Sequence, residues 1–163
     1  KYGVVGGGMR NSVAADSATI GGGENNSVDG TWSFVGGGRE NHASEGESSV
    51  IPGGASNFVL HSYSTIGGGY YNSVNATWAV IGGGHHNLAS GNSSTISGGR
   101  SNEAIETYCS VGGGASNTVR GYGGTIAGGV GNDAHGGYAS IGGGTLNAVH
   151  SAWSTIGGGW HNQ

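Results

Sequence analysis

An aliphatic residue, a run of glycines and an asparagine six places on recur through the whole chain at an almost fixed interval. A repeat of that length restricts the fold more than any other property of the sequence. Ile or Val stands at Val5, Ile20, Val35, Ile51, Ile66, Ile81, Ile96, Val111, Ile126, Ile141 and Ile156. Neighbouring members are 15 residues apart, except Val35 and Ile51, which are 16 apart. The asparagines are Asn11, Asn26, Asn41, Asn57, Asn72, Asn87, Asn102, Asn117, Asn132, Asn147 and Asn162. A helical hairpin repeat needs about 33 residues or more, so a unit this short fits one coil of a narrow β-solenoid. The 40 glycines among 163 residues do not indicate collagen, which needs Gly at every third place and abundant Pro. Here the glycines are clustered and there is one Pro. A disordered Gly-rich linker would lack the strictly placed Ile and Val.

Counting each coil from its Ile or Val as position 1, the stretch from position 13 through position 2 reads Tyr63-Ser64-Thr65-Ile66-Gly67 in one copy. Period-two alternation predicts an extended segment with positions 14 and 1 facing one side and 13 and 15 the other. Position 14 holds only small residues, from Ala18, Ser33 and Ser49 to Cys109, Gly124, Ala139 and Ser154, which predicts a crowded interior. A second strand is expected around position 9, where Val13, Val28, Ala43, Val59, Val74 and their equivalents are all Val or Ala. Position 2 accepts Pro52, Ser97 and Ala127, so its φ is negative. Positions 3 and 4 are Gly in every copy, which implies a positive φ, or a backbone too close for a Cβ, at one or both. A structural ladder of stacked amides is expected at Asn26, Asn41, Asn57, Asn72, Asn87, Asn102, Asn117, Asn132 and Asn147, each bonded to the Asn of the next coil.

The segments "STIGGGYYNSV" and "VIGGGHHNLASG" resemble the head repeats of trimeric autotransporter adhesins over essentially all of residues 3–163. The resemblance implies a left-handed parallel β-roll wound in a homotrimer, displayed at the cell surface for adhesion. The triple Gly and the 15-residue period depart from that family, and its neck, coiled-coil stalk and membrane anchor have no counterpart here. Energetics points to the same assembly. Ordering one coil costs roughly 1–2 kcal/mol of backbone entropy per residue. Two medium apolar side chains return only about 1.5–3 kcal/mol each, so association along a flank is expected to supply further burial.

That flank is expected to carry positions 13 and 15. Position 13 holds Trp32, Tyr63, Trp78, Tyr108, Tyr138 and Trp153, predicted to form an aromatic stripe at about 4.8 Å per coil. The plainer reading is an intersubunit seam; the sharper one is an exposed platform for glycans or matrix protein.

Calcium-binding β-rolls hold the ion with an Asp in each repeat, whereas here that residue is Asn. His135 and His150 share position 10 of adjacent coils and read as solvated imidazoles rather than a metal site. Glu40, Glu45 and Glu47, the one close acidic group, surround the 16-residue coil, whose extra residue predicts a bulge near Ser44 to Gly46. They read as solvating charge, so neither catalysis nor a cofactor is expected. Ice binding would need an unbroken hydroxyl array, and Phe34, Val50 and Val80 interrupt the Thr column at position 15. No phosphate loop motif occurs, and Lys1 is the sole lysine. A net charge of −4 with five Lys plus Arg excludes an electrostatic footprint for nucleic acid, and no apolar run approaches membrane-spanning length. Cys109 is expected to be a packed thiol. Asn25, Asn75 and Asn92 open N-x-[ST] sequons.

The expectation is therefore one all-β domain over residues 1–163: a parallel β-solenoid of about ten coils, roughly 48 Å long, excerpted from a longer array without caps. It is expected to be a non-enzymatic extracellular adhesin head or surface fibre whose partners are two further copies of itself and a host surface, matrix protein or glycan. A phage-type receptor-binding fibre, a purely structural filament and, distantly, an ice-binding solenoid are the alternatives.

Overall fold

The computed structural model describes residues 2–163 and is a parallel β-solenoid with no helix among them. Each coil contributes a two-residue strand at positions 15 and 1, such as Thr65–Ile66, and another at positions 8 and 9, such as Ser73–Val74. The first set stacks into an 11-stranded sheet and the second into a 10-stranded sheet, each in strict chain order. A third line of parallel bridges joins position 5 of successive coils, as in Tyr70 to His85 to Arg100. Three ladders per coil, separated by bends, give the rod a three-sided section. Ile81 pairs with Ile66 and Ile96, so equivalent residues are vertical neighbours.

The interior is built from what fits between three close backbones. Ile66, Val74 and Ala79 are completely buried, as are their equivalents through most of the rod. Ser64 uses its place at position 14 twice: its hydroxyl donates to Ala76 O at 2.7 Å and accepts from Ala79 N–H at 3.1 Å.

Position 7 supplies the polar half of the core. The Asn72 amide donates to Gly68 O of its own coil at 3.1 Å and to Gly84 O of the next at 2.9 Å. Its Oδ1 accepts from the Asn87 backbone N–H at 3.0 Å and the Asn87 side-chain amide at 3.1 Å. Both ends of a fully buried amide are thereby satisfied, which a buried polar group requires to be stabilising.

The two invariant glycines are distinct. Gly69 at position 4 has φ +91 and a Cβ there would lie 2.1 Å from Gly84 O, so conformation and space both demand Gly. Position 3 varies: Gly53 would meet nothing within 4 Å and its φ is not positive, whereas Gly68, Gly83, Gly113, Gly143 and Gly158 at the same position have φ from +141 to +158, where a side chain is strained even with space around it.

The expected extended stretch from position 13 to position 2 is shorter in the structure. Only positions 15 and 1 pair, and position 13 is left-handed in every coil, for example Tyr63 at φ 57 and Trp78 at φ 58. Position 6 is left-handed too, including Tyr71 at φ 53 and His86 at φ 55. The cause is the direction of the amide. At positions 15 and 8 the N–H groups point to the next coil, as in Val80 to Ser94 O at 2.9 Å and Ser73 to Asn87 O at 2.9 Å. At positions 6 and 13 they point backwards, Tyr71 to Ala55 O at 3.1 Å and Trp78 to Ser62 O at 3.2 Å. Flipping the peptide costs a non-Gly residue about 1–2 kcal/mol, which the bond to the preceding coil offsets.

The 16-residue coil keeps register, with Phe34 opposite Val50 and Val35 opposite Ile51. Its extra residue is Glu45, left-handed at φ 52, and the distortion is confined to the turn at Ser44–Ser48.

Exposed surface bears on assembly. The chain exposes 7191 Å², and a compact monomer of 15.9 kDa exposes about 7,350 Å² by size scaling. Small side chains let the rod bury as much as an ordinary monomer. The shortfall in burial expected for an isolated coil is therefore not a property of the stacked array.

Candidate binding edge

The left-handed turn decides where the aromatic residues go. Position 13 lies on a corner of the section rather than on the flat face that carries position 15, so the two do not share one flank as the alternation predicts. Trp32, Tyr63, Trp78, Tyr108, Tyr138 and Trp153 are all exposed, from 46% for Tyr138 to 75% for Trp153. They form a file along one edge. Tyr63 and Trp78 stack with ring centroids 6.1 Å apart and planes within 17°, and Tyr138 and Trp153 do so at 4.2 Å and 15°. Where position 13 is Gly123, the adjacent Tyr122 fills the file, edge-on to Tyr108 at 5.6 Å and to Tyr138 at 5.4 Å. Loss of solvent, reinforced by Tyr138, raises the Tyr122 phenol above its ordinary pKa. Tyr122 sits one place out of column, so column-by-column reading of the sequence passes over it.

Beside this edge runs a polar groove of about 210 Å³, bordered by Thr77, Ser90, Asn92 and Thr107, with His61 and Glu106 at its ends. Its floor is low because position 11 is Ala76 and Gly91 there, both buried. A Cβ on Gly91 would lie 1.8 Å from Glu106 O.

A second ring cluster occupies the opposite bend, at positions 5 and 6 of two adjacent coils. Tyr70 stacks on His85 at 5.4 Å and Tyr71 on His86 at 5.0 Å. His86 Nδ1 and His85 Nε2 are 3.4 Å apart. A hydrogen bond with Tyr71 raises the Tyr70 phenol above its ordinary pKa. The signal for this cluster is present in "GGGYYN" followed by "GGGHHN".

The remaining candidates fall into surface contacts. His135 Nε2 is 3.0 Å from Asp133 Oδ2, which also pairs with Arg120, and the His135 and His150 rings are 5.2 Å apart. Among the described residues no group of three or more His, Cys, Asp or Glu is placed to hold a metal ion. Glu40, Glu45 and Glu47, close in sequence, are divided between two corners. Glu40 accepts from Ser56 Oγ at 3.0 Å, while Glu47 accepts from the Tyr63 hydroxyl at 3.3 Å. Cys109 is buried, its Sγ directed to Gly121 O at 3.3 Å, and burial raises its thiol above the ordinary range. Along position 15, Phe34 and Val80 protrude at 39% exposure each and break the hydroxyl column. No helix of the described residues is long and apolar enough to cross a membrane.

The sequence matches no protein-family model and no curated protein. The likeness to autotransporter heads rests on the repeat pattern alone.

Proposed function

We propose that this chain is a non-enzymatic extracellular rod, an adhesin head or surface fibre, and that its aromatic edge is the face turned to the ligand. The observation that carries the reading is the file of exposed rings held on a backbone whose every bend is bonded to the coils above and below. Rigid aromatic side chains on a fixed spacing supply contact area at little cost in ordering. The corner position of the file supports a platform over a seam, because a convex edge buries poorly against a neighbour. The trimer belongs to the same proposal, with its contact along the flat face where Phe34 and Val80 protrude, and parallel copies would multiply weak attachment into avidity.

The test combines molar mass in solution with binding to surfaces coated with glycans or matrix proteins. Tyr63→Ala and Trp78→Ala are expected to abolish attachment while the assembly stays intact. Dissociation to monomers in these variants would instead make the edge a subunit seam. Intact assembly with no attachment by the unaltered rod would favour the structural-filament reading.

A further inference from the structure

Within the reading that the aromatic edge faces ligand, the edge is not uniform. Position 13 is Ser at Ser48 and Ser93 in the middle of the file. Tyr63 covers one face of Trp78, so the other face looks along the rod across Ser93 toward Tyr108. Two coil spacings, about 9.6 Å, separate the levels of Trp78 and Tyr108. We propose that this gap, with the polar groove beside it, is a binding slot for one neutral pyranose ring of a glycan.

The dimensions and the chemistry agree. Carbon atoms in contact lie about 3.5–4.0 Å apart, so a ring held between two aromatic levels needs about 7–8 Å plus its own thickness. A puckered saturated ring fills the gap, whereas a flat aromatic ligand would leave space on one side. A pyranose presents C–H groups on its face and hydroxyls around its rim. The slot presents the matching pair: the free face of Trp78 for the C–H groups, and the groove for the hydroxyls. Thr77, Asn92 and Thr107 line the groove and directly precede Trp78, Ser93 and Tyr108 in the chain. Asn92 Oδ1 accepts the Thr77 N–H at 3.2 Å, which aims the side chain and leaves its amide hydrogens for a ligand. Glu106 and His61 add an acceptor and a donor at the ends. The groove lining contains neither Lys nor Arg, which disfavours a sulfated or phosphorylated sugar. The gap at Ser48 differs, since the Glu47 carboxylate already engages the Tyr63 hydroxyl beside it.

The probes are methyl pyranosides of glucose, galactose, mannose and N-acetylglucosamine, titrated against the full chain. The readouts are the amide resonances of Gly91 and Asn92 and the indole N–H of Trp78. At least one probe is expected to give saturable shifts at all three. Ser93→Trp fills the slot without straining the turn, because Ser93 has φ 55 and Trp32, Trp78 and Trp153 occupy equivalent turns at φ 56, 58 and 61. Ser93→Trp and Trp78→Ala should each weaken binding about tenfold or more, the loss expected for one aromatic face. Ser17→Trp, the same change in a distant coil, should leave it unaltered. Absence of saturable shifts with every probe, or undiminished binding by folded Ser93→Trp, overturns the slot. If the rod then still attaches to coated surfaces through Tyr63 and Trp78, the edge reading stands without it. If attachment fails too, both fall.

Discussion

Replacing Asn72 should cost more than replacing any exposed residue of the rod, and the structure gives both the amount and its dependence on pH. Asn72→Ala removes the acceptor for the buried Asn87 N–H and for the Asn87 amide, and both donors to Gly68 O and Gly84 O. Gly84 O keeps the Tyr70 N–H, Gly68 is only half-buried and the Asn87 side-chain amide keeps Gly83 O and Gly99 O at 3.0 Å each, so the Asn87 backbone N–H carries most of the penalty. At about 1–3 kcal/mol for a buried group left unpaired, the loss is about 1–3 kcal/mol. Asn162→Ala makes the same chemical change where the residue is exposed. Its cost should stay below about 1 kcal/mol. Asn72→Asp separates hydrogen bonding from volume. A carboxylate there faces two carbonyl oxygens and donates nothing, so its folded-state pKa lies above the unfolded value near 3.9. The folded state then holds the proton more tightly, and stability falls as pH rises through the folded pKa. Asn72→Asp should therefore melt at a lower temperature at pH 7 than at pH 4, after subtraction of the parent's own change. Urea titrations at both pH values measure all three variants. A loss under about 1 kcal/mol for Asn72→Ala, or no pH dependence for Asn72→Asp, would refute the claim that the amide ladder holds the coils together.

Neighbouring glycines should respond oppositely. Gly54→Ala puts a Cβ at φ +96, 2.3 Å from Gly69 O, and should prevent the central coils from stacking. Gly53→Ala meets nothing and should be neutral or stabilising by about 0.4–1 kcal/mol, both read by thermal denaturation. Ser64→Ala orphans the Ala79 N–H and should cost about 1–3 kcal/mol. Ser94→Ala deletes a buried hydroxyl that has no partner and should not destabilise in the same assay. Cys109 should resist alkylation until the rod unfolds. Because burial raises its thiol pKa above the ordinary 9.0, the unfolded chain ionises first and stability should decline as pH climbs past about 9. Cys109→Ala should remove that part of the decline.

The columns that face inward were legible because each admits few residue types. Ile66 and Ile81, Val74 and Ala89, and Ser64 and Ala79 could be assigned to the interior from volume alone, since a close-packed core punishes any change of size. The glycines were partly legible: substitution at Pro52, Ser97 and Ala127 separated position 2 from positions 3 and 4, and the structure then shows that position 4 lacks both conformation and space for a side chain in the stacked coils, while position 3 has the space and a positive φ in only some coils. Position 13 was not legible. Trp and Tyr ordinarily avoid positive φ, so local propensity places Trp78 in a strand, and only a bond made by the neighbouring coil reverses that preference. The one hint was Gly123 in the same column, and Gly131 gives the same hint for position 6. The groove was hidden for a related reason. It exists where Ala76 and Gly91 leave position 11 empty between His61 and Glu106, a relation among four coils that no single repeat displays.

Uniformity and function occupy different parts of this molecule. Inside, each coil is templated by the one below: an altered residue at position 1, 4, 7 or 14 would disturb two neighbours at once, which leaves the core no freedom to carry a site. Outside, positions 5, 6, 10, 12 and 13 and the inserted residue of the 16-residue coil touch solvent, and there the repeat lapses. The rings of Tyr70, Tyr71, His85 and His86, the extra Glu45, and the missing ring at Ser93 all lie at those positions. Departures cost least on the outer corners, where a side chain has few neighbours to displace. A rod of this kind acquires specificity by omission as readily as by addition. With rings fixed at one level per coil, deleting a single ring opens a gap of about 9.6 Å, set by the backbone rather than by side-chain adjustment. Ser93 is such a deletion, bordered by hydroxyl and amide groups that the rest of the edge lacks in this combination.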